Sequence, residues 1–229
     1  MSLIDHWQYI SQYLTENRVN RFEEVLSKRT RYAVPVLEDT VKDQNASAVI
    51  RTMDALGFHE LHLVEQRWNA KINDDISKGS DKWLDIHRHT DIGDSIRDLK
   101  SRGYQIVVTA PHEKGIHIRD LPLDKPLAVV FGNEWNGISD EAMELADEFL
   151  QIPMYGFVES YNLSVSAAMT FGYIRWELDA RNLVPRLPDQ EILATMVRWG
   201  IHSTRSGYQV YEKWLNDTGN TDVLGIFED

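Results

Sequence analysis

Three short segments of this 229-residue chain gather side chains that can do chemistry. The first, Asn45-Ala-Ser-Ala-Val-Ile-Arg51-Thr-Met-Asp-Ala-Leu-Gly57, reads as a helix with Asn45 as its N-cap and Gly57 as its stop. On it Arg51 shares a face with Ser47, Ala48, Asp54 and Ala55, because residues three and four apart are helical neighbours, so the guanidinium is flanked mainly by small side chains. Taken alone, a weak surface Arg51–Asp54 ion pair is the plainer reading. The second segment runs the apolar Leu127–Phe131 into the loop Gly132-Asn-Glu134-Trp-Asn-Gly137 and then Ser139, an N-cap. Ligands of open α/β sheets bind beyond the carboxyl ends of strands, so Glu134 there favours a site over a plain tight turn. Ile138 and Ser139 follow the second glycine, so the lysine of a P-loop is missing, and there is no G-x-G-x-x-G. The third segment, Ile152-Pro-Met154-Tyr-Gly-Phe-Val-Glu-Ser160-Tyr161-Asn162-Leu-Ser-Val-Ser-Ala-Ala168, is a strand end, a loop and the start of a long helix. Capping of that helix is the plain role for Ser160 or Asn162.

The elements that must position these residues alternate. Strands are predicted at 33–37, 61–64, 83–87, 105–109, 127–131 and 149–152, with helices at about 46–56, 91–101 and 139–146 between them. That alternation predicts an α/β fold with a parallel sheet, and runs such as Leu127–Phe131 belong to strands buried on both faces. Helices at about 3–14 and 18–28 precede the sheet; a long one at about 163–182 and two at about 190–199 and 207–216 follow it. The boundaries are 1–31 for an N-terminal helical extension, 32–182 for the α/β domain and 183–229 for a C-terminal helical extension. On the long helix Ser164, Ala168 and Gly172 form a small-residue stripe beside an apolar one of Leu163, Ala167, Phe171, Ile174 and Leu178. Two such faces predict burial on two sides, one against the sheet and the other against the tail helices or a second subunit.

Composition narrows the chemistry. With no cysteine there is no disulfide framework, thiolate zinc site or cysteine nucleophile. The eight histidines show no metal-ligand spacing, so no metal is expected, and His87 and His89 read as solvated on one strand face. The acidic, polar start and the lack of a membrane-length apolar run predict a soluble cytoplasmic protein. A net charge of −12 by itself favours a small-molecule enzyme, since phosphate affinity comes largely from Lys and Arg. Arg18, Arg21, Lys28, Arg29 and Arg31 nevertheless crowd near the N-terminus, as an RNA-binding patch or as a solvated helix face.

Together and in this order, N-x-S-A-x-x-R-T-x-D-A-x-G, G-N-E-x-x-G-I-S and I-P-M-x-G-x-x-x-S-x-N-x-S-x-S-A resemble the three motifs of the SpoU (TrmH-like) RNA 2′-O-methyltransferases over about 32–180. The run 21–31 with 34–38 also resembles the family's tRNA guanosine-18 branch. The resemblance implies an α/β trefoil knot, a homodimer with the long helix in its interface, S-adenosyl-L-methionine as methyl donor and tRNA as substrate, with rRNA the alternative. It makes Arg51 the catalytic arginine, Asn45 its companion, Glu134 the motif-two carboxylate and Ser160 with Asn162 the motif-three polar pair. The donor is implied to lie against Thr109, Gly132, Ile152, Met154 and Tyr161. Two departures stand out: Tyr161 replaces a common leucine, and Val41-Lys-Asp-Gln44 replaces a proline-containing approach to Asn45. Methyl transfer to a ribose requires in-line alignment and stabilisation of a developing alkoxide. Arginine is too weak an acid to be an easy base, so Arg51 is assigned to orienting the nucleotide and stabilising negative charge. A catalytically silent RNA-binding protein on the same fold is the reading from another class; the intact polar set argues against it.

Overall fold

A computed structural model describes residues 2–110 and 115–227. In chain order α1 (Leu3–Ser11) and α2 (Glu16–Leu26) precede β1 (Ala33–Glu38), α3 (Asp43–Leu56), β2 (Glu60–Val64), the one-turn α4 (Asp74–Ser77), β3 (Asp85–His89), α5 (Ile92–Ser101), β4 (Gln105–Thr109), the short β5 (Ile116–His117), β6 (Leu127–Phe131), α6 (Asp140–Glu144), β7 (Glu148–Gln151) and α7 (Leu163–Ala180). The last helices are α8 (Asp189–Ser203) and α9 (Gly207–Thr218). The chain divides into a unit of residues 30–185 and a second that joins 1–29 to 186–229, so the two extensions drawn separately from the sequence come together.

In the larger unit the strands form one parallel sheet in the order β3-β2-β1-β6-β4-β7-β5. Every residue of β1, β2 and β6 is buried, as a sheet covered on both faces requires. One face packs Leu37, Val107 and Val129 under Ala46, Val49, Ile50 and Met53 of α3 and Leu163, Ala167, Phe171, Ile174 and Leu178 of α7. The other packs Val36, Val108 and Val130 under Ile92, Ile96 and Leu99 of α5 and Ala142 of α6. The apolar stripe read from the sequence of α7 is therefore its sheet-facing side. Its outer side carries Val165, Met169 and Trp176, exposed at 45%, 40% and 68%.

The smaller unit packs Ile10 of α1 against Val197 and Ile201 of α8 and Tyr211 and Leu215 of α9. His6 Nδ1 lies 2.7 Å from the Tyr211 hydroxyl, and Phe22 of α2 meets Trp199 edge-on.

Several elements depart from the sequence reading, among them the one-turn α4 and the short β5, neither of which was predicted. Residues 80–83 wind as a 3-10 turn, which moves the predicted strand 83–87 to Asp85–His89. Helix α3 starts at Asp43 behind an extended Lys42, so Asn45 sits inside the first turn and is not the N-cap.

Candidate active site

The carboxyl ends of β1, β6, β4 and β7, neighbours at the sheet's centre, carry the loops that hold the polar set. The loop after β6 is closed by Asn133 N–H donating to Gly137 O at 2.8 Å and Gly137 N–H donating to Asn133 O at 2.9 Å. A Cβ on Gly132 would fall 2.4 Å from the Gly137 backbone, so this first glycine is required by the loop's own closure. The fold thus supplies a reason for Gly132 independent of any ligand.

From that loop Glu134 reaches back to the first motif: its Oε1 accepts from Asn45 Nδ2 at 2.6 Å and its Oε2 from Val41 N–H at 3.0 Å. Asn45, only 5% exposed, accepts through Oδ1 from Asn162 Nδ2 at 3.1 Å. Asn162 is also the N-cap of α7, its Oδ1 accepting from Ser164 N–H at 2.9 Å. One hydrogen-bonded chain, Asn162–Asn45–Glu134, therefore ties all three motifs together. Asn162 therefore both caps α7 and bonds to the first motif, and Glu134 positions Asn45 and the backbone before it.

Beside this chain opens a cavity of about 710 Å³ lined by Thr109, Gly132, Glu134, Ile152, Met154, Ser160, Tyr161 and Asn162, among others. All five residues assigned to the methyl donor are on its wall. Phe131, Leu150, Met143 and Leu163 add apolar surface, and Asp140 a second carboxylate. Such a volume lies within the range of about 300–1,000 Å³ usual for ligands of this size. Apolar walls suit a purine ring, and carboxylates suit a sulfonium cation. Tyr161, the departure from leucine, donates its hydroxyl to Pro153 O at 3.1 Å and so braces the loop before α7. Thr109 Oγ1 donates to Val130 O at 3.0 Å.

Arg51 stands apart. It is exposed on α3, is not on the cavity wall and has no hydrogen-bond or ion-pair partner among the described residues. The Arg51–Asp54 pair does not form; Asp54 instead accepts from Ser80 Oγ at 2.9 Å.

The basic cluster divides. Arg18, Arg21 and Lys28 are exposed on or just after α2, the latter two bridging Glu24 at 2.6 and 3.0 Å. Arg29 is a correction: it is 1% exposed, with its guanidinium 5.7 Å from the Trp199 ring centroid. Arg31 is another, paired with Glu60 and Asp85. Both are committed to intramolecular partners and do not offer the open phosphate contact expected of them.

His87 and His89 are not simply solvated either. His62 stacks between them, Nδ1 at 2.8 Å from His89 Nε2, while its Nε2 lies 2.7 Å from Glu60 Oε1. Ligand atoms of Glu60, His62 and His87 lie within 4.8 Å of one another. The Glu60 carboxylate already accepts from Arg31 and from Arg102, the latter at 2.7 Å, and two guanidiniums there oppose a divalent cation. Burial alone would raise the Glu60 pKa, but His62, Arg31 and Arg102 hold it well below the ordinary range. Burial also pushes the Glu38 carboxyl up, against hydrogen bonds from Ser139. Sequence reasoning missed Glu38, Asp39 and Asn133, which bond to one another's loops or to Ser139; only the position of Glu38 and Asp39 at a central strand's carboxyl end could have flagged the first two.

Comparison with known proteins agrees with this geometry. The family model described as the SpoU rRNA Methylase family matches residues 33–172. A tRNA (guanosine(18)-2′-O)-methyltransferase of Borreliella burgdorferi is 39% identical over 160 residues, 70% of this chain and 73% of the relative. The crystal structure of the Aquifex aeolicus TrmH/SpoU tRNA modifying enzyme superposes with a TM-score of 0.76 at 32% identity, over 82% of this chain and 96% of that one. An AdoMet-bound rRNA methyltransferase from Sinorhizobium meliloti reaches a TM-score of 0.56 at 26% identity, over 66% of this chain and 58% of that one. With three motifs laced by one hydrogen-bonded chain and a family match spanning most of the sheet unit, this chain belongs to the SpoU methylase family of methyltransferases.

Proposed function

We propose that this enzyme methylates the 2′-hydroxyl of guanosine 18 in tRNA, using S-adenosyl-L-methionine. The observation that carries the reading is the Asn162–Asn45–Glu134 chain at the cavity's edge, which fixes a polar rim where a ribose hydroxyl can dock. Thr109, Gly132, Ile152, Met154 and Tyr161 hold the donor, which supplies an electrophilic methyl on a sulfonium. Ser160 and Asn162 orient the ribose, and Arg51 steadies the developing negative charge. Arg51 lies off its own cavity wall, which supports a homodimer in which α7's outer face, Val165, Met169 and Trp176, meets a second copy and each subunit lends its arginine to the other's site. The family's knot is part of the proposal; β7 lying between β4 and β5 is consistent with it. Exposed Arg18, Arg21 and Lys28 supply the phosphate contacts. No helix among the described residues is long and apolar enough to cross a membrane, consistent with work in the cytoplasm.

The test is to incubate the chain with labelled S-adenosylmethionine and separated tRNA and rRNA lacking the modification, then map the label. Label on the guanosine-18 ribose is the expected result. Label in rRNA alone overturns the substrate, and no transfer to either overturns the activity.

A further inference from the structure

The two positions that the G-N-E-x-x-G loop leaves open include Trp135, and the structure sets its ring 5.8 Å from that of Trp68 at 89°, an edge-to-face pair. Both are exposed, Trp68 at 43% and Trp135 at 66%, and Trp135 lines the cavity. A buried polar frame fixes their backbones. Asp39, 7% exposed and held at φ 47, accepts through Oδ1 from the N–H groups of Gln66 at 2.9 Å, Arg67 at 2.8 Å and Trp68 at 3.4 Å. Its carbonyl accepts from Asn133 Nδ2 at 2.6 Å, and Asn133 Oδ1 in turn accepts from the N–H of Trp135 at 2.8 Å. A non-glycine residue in the left-handed region costs free energy, and such strain persists only where surrounding bonds over-determine it. Here those bonds clip two separate loops to one residue and bring two indoles together, with Trp135 on the cavity wall and Trp68 beside it.

We propose that Trp68 and Trp135 form a stacking platform for the base of the RNA nucleotide whose ribose is methylated. The inference rests on the RNA-methyltransferase reading above. Trp135 directly follows Glu134, so a ribose held at the Glu134–Asn45–Asn162 rim carries its base to the adjacent indole. RNA bases that are splayed out of their stacks are held on aromatic faces. A fixed pair needs little ordering when the base arrives, which conserves affinity. In a chain of net charge −12, stacking also offers affinity that does not depend on phosphate neutralisation.

The experiment compares the intact chain with Trp68→Ala, Trp135→Ala and Trp135→Phe for tRNA KM, kcat, S-adenosylmethionine affinity and sedimentation. Removing one stacking partner should raise the tRNA KM or Kd roughly 5- to 100-fold in the alanine variants. Trp135→Phe, which keeps an aromatic face, should recover most of the loss, with oligomeric state unchanged in all three and donor affinity unchanged in Trp68→Ala, whose ring is off the cavity wall. Unchanged tRNA KM in both alanine variants overturns the platform, and so does a loss confined to donor affinity or to subunit association. If the unaltered chain itself neither binds nor methylates RNA, the functional reading fails and takes the platform with it, a result distinct from a platform failure in an active enzyme.

Discussion

Replacing Arg51 by alanine removes an exposed guanidinium that bonds to nothing else among the described residues. The fold should therefore change in stability by no more than about 0.5 kcal/mol, as for surface positions generally. Turnover should fall by roughly 100-fold or more if the side chain stabilises the alkoxide, with donor affinity retained. Thermal melts, calorimetric titration of the donor and single-turnover rates check the three parts, and near-normal turnover removes Arg51 from the mechanism. Glu134→Ala should behave differently. It orphans the Asn45 amide, 5% exposed, and the Val41 N–H, so a loss of about 1–3 kcal/mol in stability should accompany the loss of activity. A Glu134→Ala melt equal to that of the parent would show that the carboxylate does not anchor the first motif.

At the scale of elements, the outer face of α7 predicts a dimer that Trp176→Glu should break, because a carboxylate would replace a large apolar contact. Sedimentation at micromolar concentration should then show monomer and activity should fall; an intact dimer contradicts the interface. On α2 and the residues after it, reversing Arg18 and Lys28 to glutamate should weaken tRNA binding and flatten its salt dependence without touching donor affinity. The parallel sheet and the strand-to-loop position of Glu134 were legible in the sequence because apolar runs and loop glycines are local signals, whereas the five donor residues were named only through the family resemblance. Asn45 was placed as a cap because asparagine caps well, yet Glu134 claims its side chain from 89 positions away. Arg29 and Arg31 looked like an extension of the basic stripe because nothing local reveals Trp199 under one or Glu60 and Asp85 beside the other. Trp68 gave no signal for the same reason: the bonds that link its loop to that of Trp135 pass through Asp39.

Across the whole molecule, acid should act in two stages. His62, His87 and His89 all have folded pKa values lowered first of all by burial. The unfolded chain therefore takes up protons that the folded one refuses as pH falls through about 6.5, and stability declines below that point. Glu60 is held low in the fold, so a further loss follows as pH drops through about 4.3, where the unfolded carboxylate protonates first. Melting temperature measured from pH 7.5 to 4 should fall throughout; a flat profile between pH 7 and 5 would contradict the histidine stack. A different consequence follows from the smaller unit, whose apolar centre takes Ile10 from one end of the chain and Val197, Ile201, Tyr211 and Leu215 from the other. During synthesis at about 5–20 residues per second, α1 must wait on the order of 10 s or more for α8 and α9 to leave the ribosome. The sheet unit can be complete before then, so a nascent chain stalled before α8 carries the apolar residues of α1 without their partners.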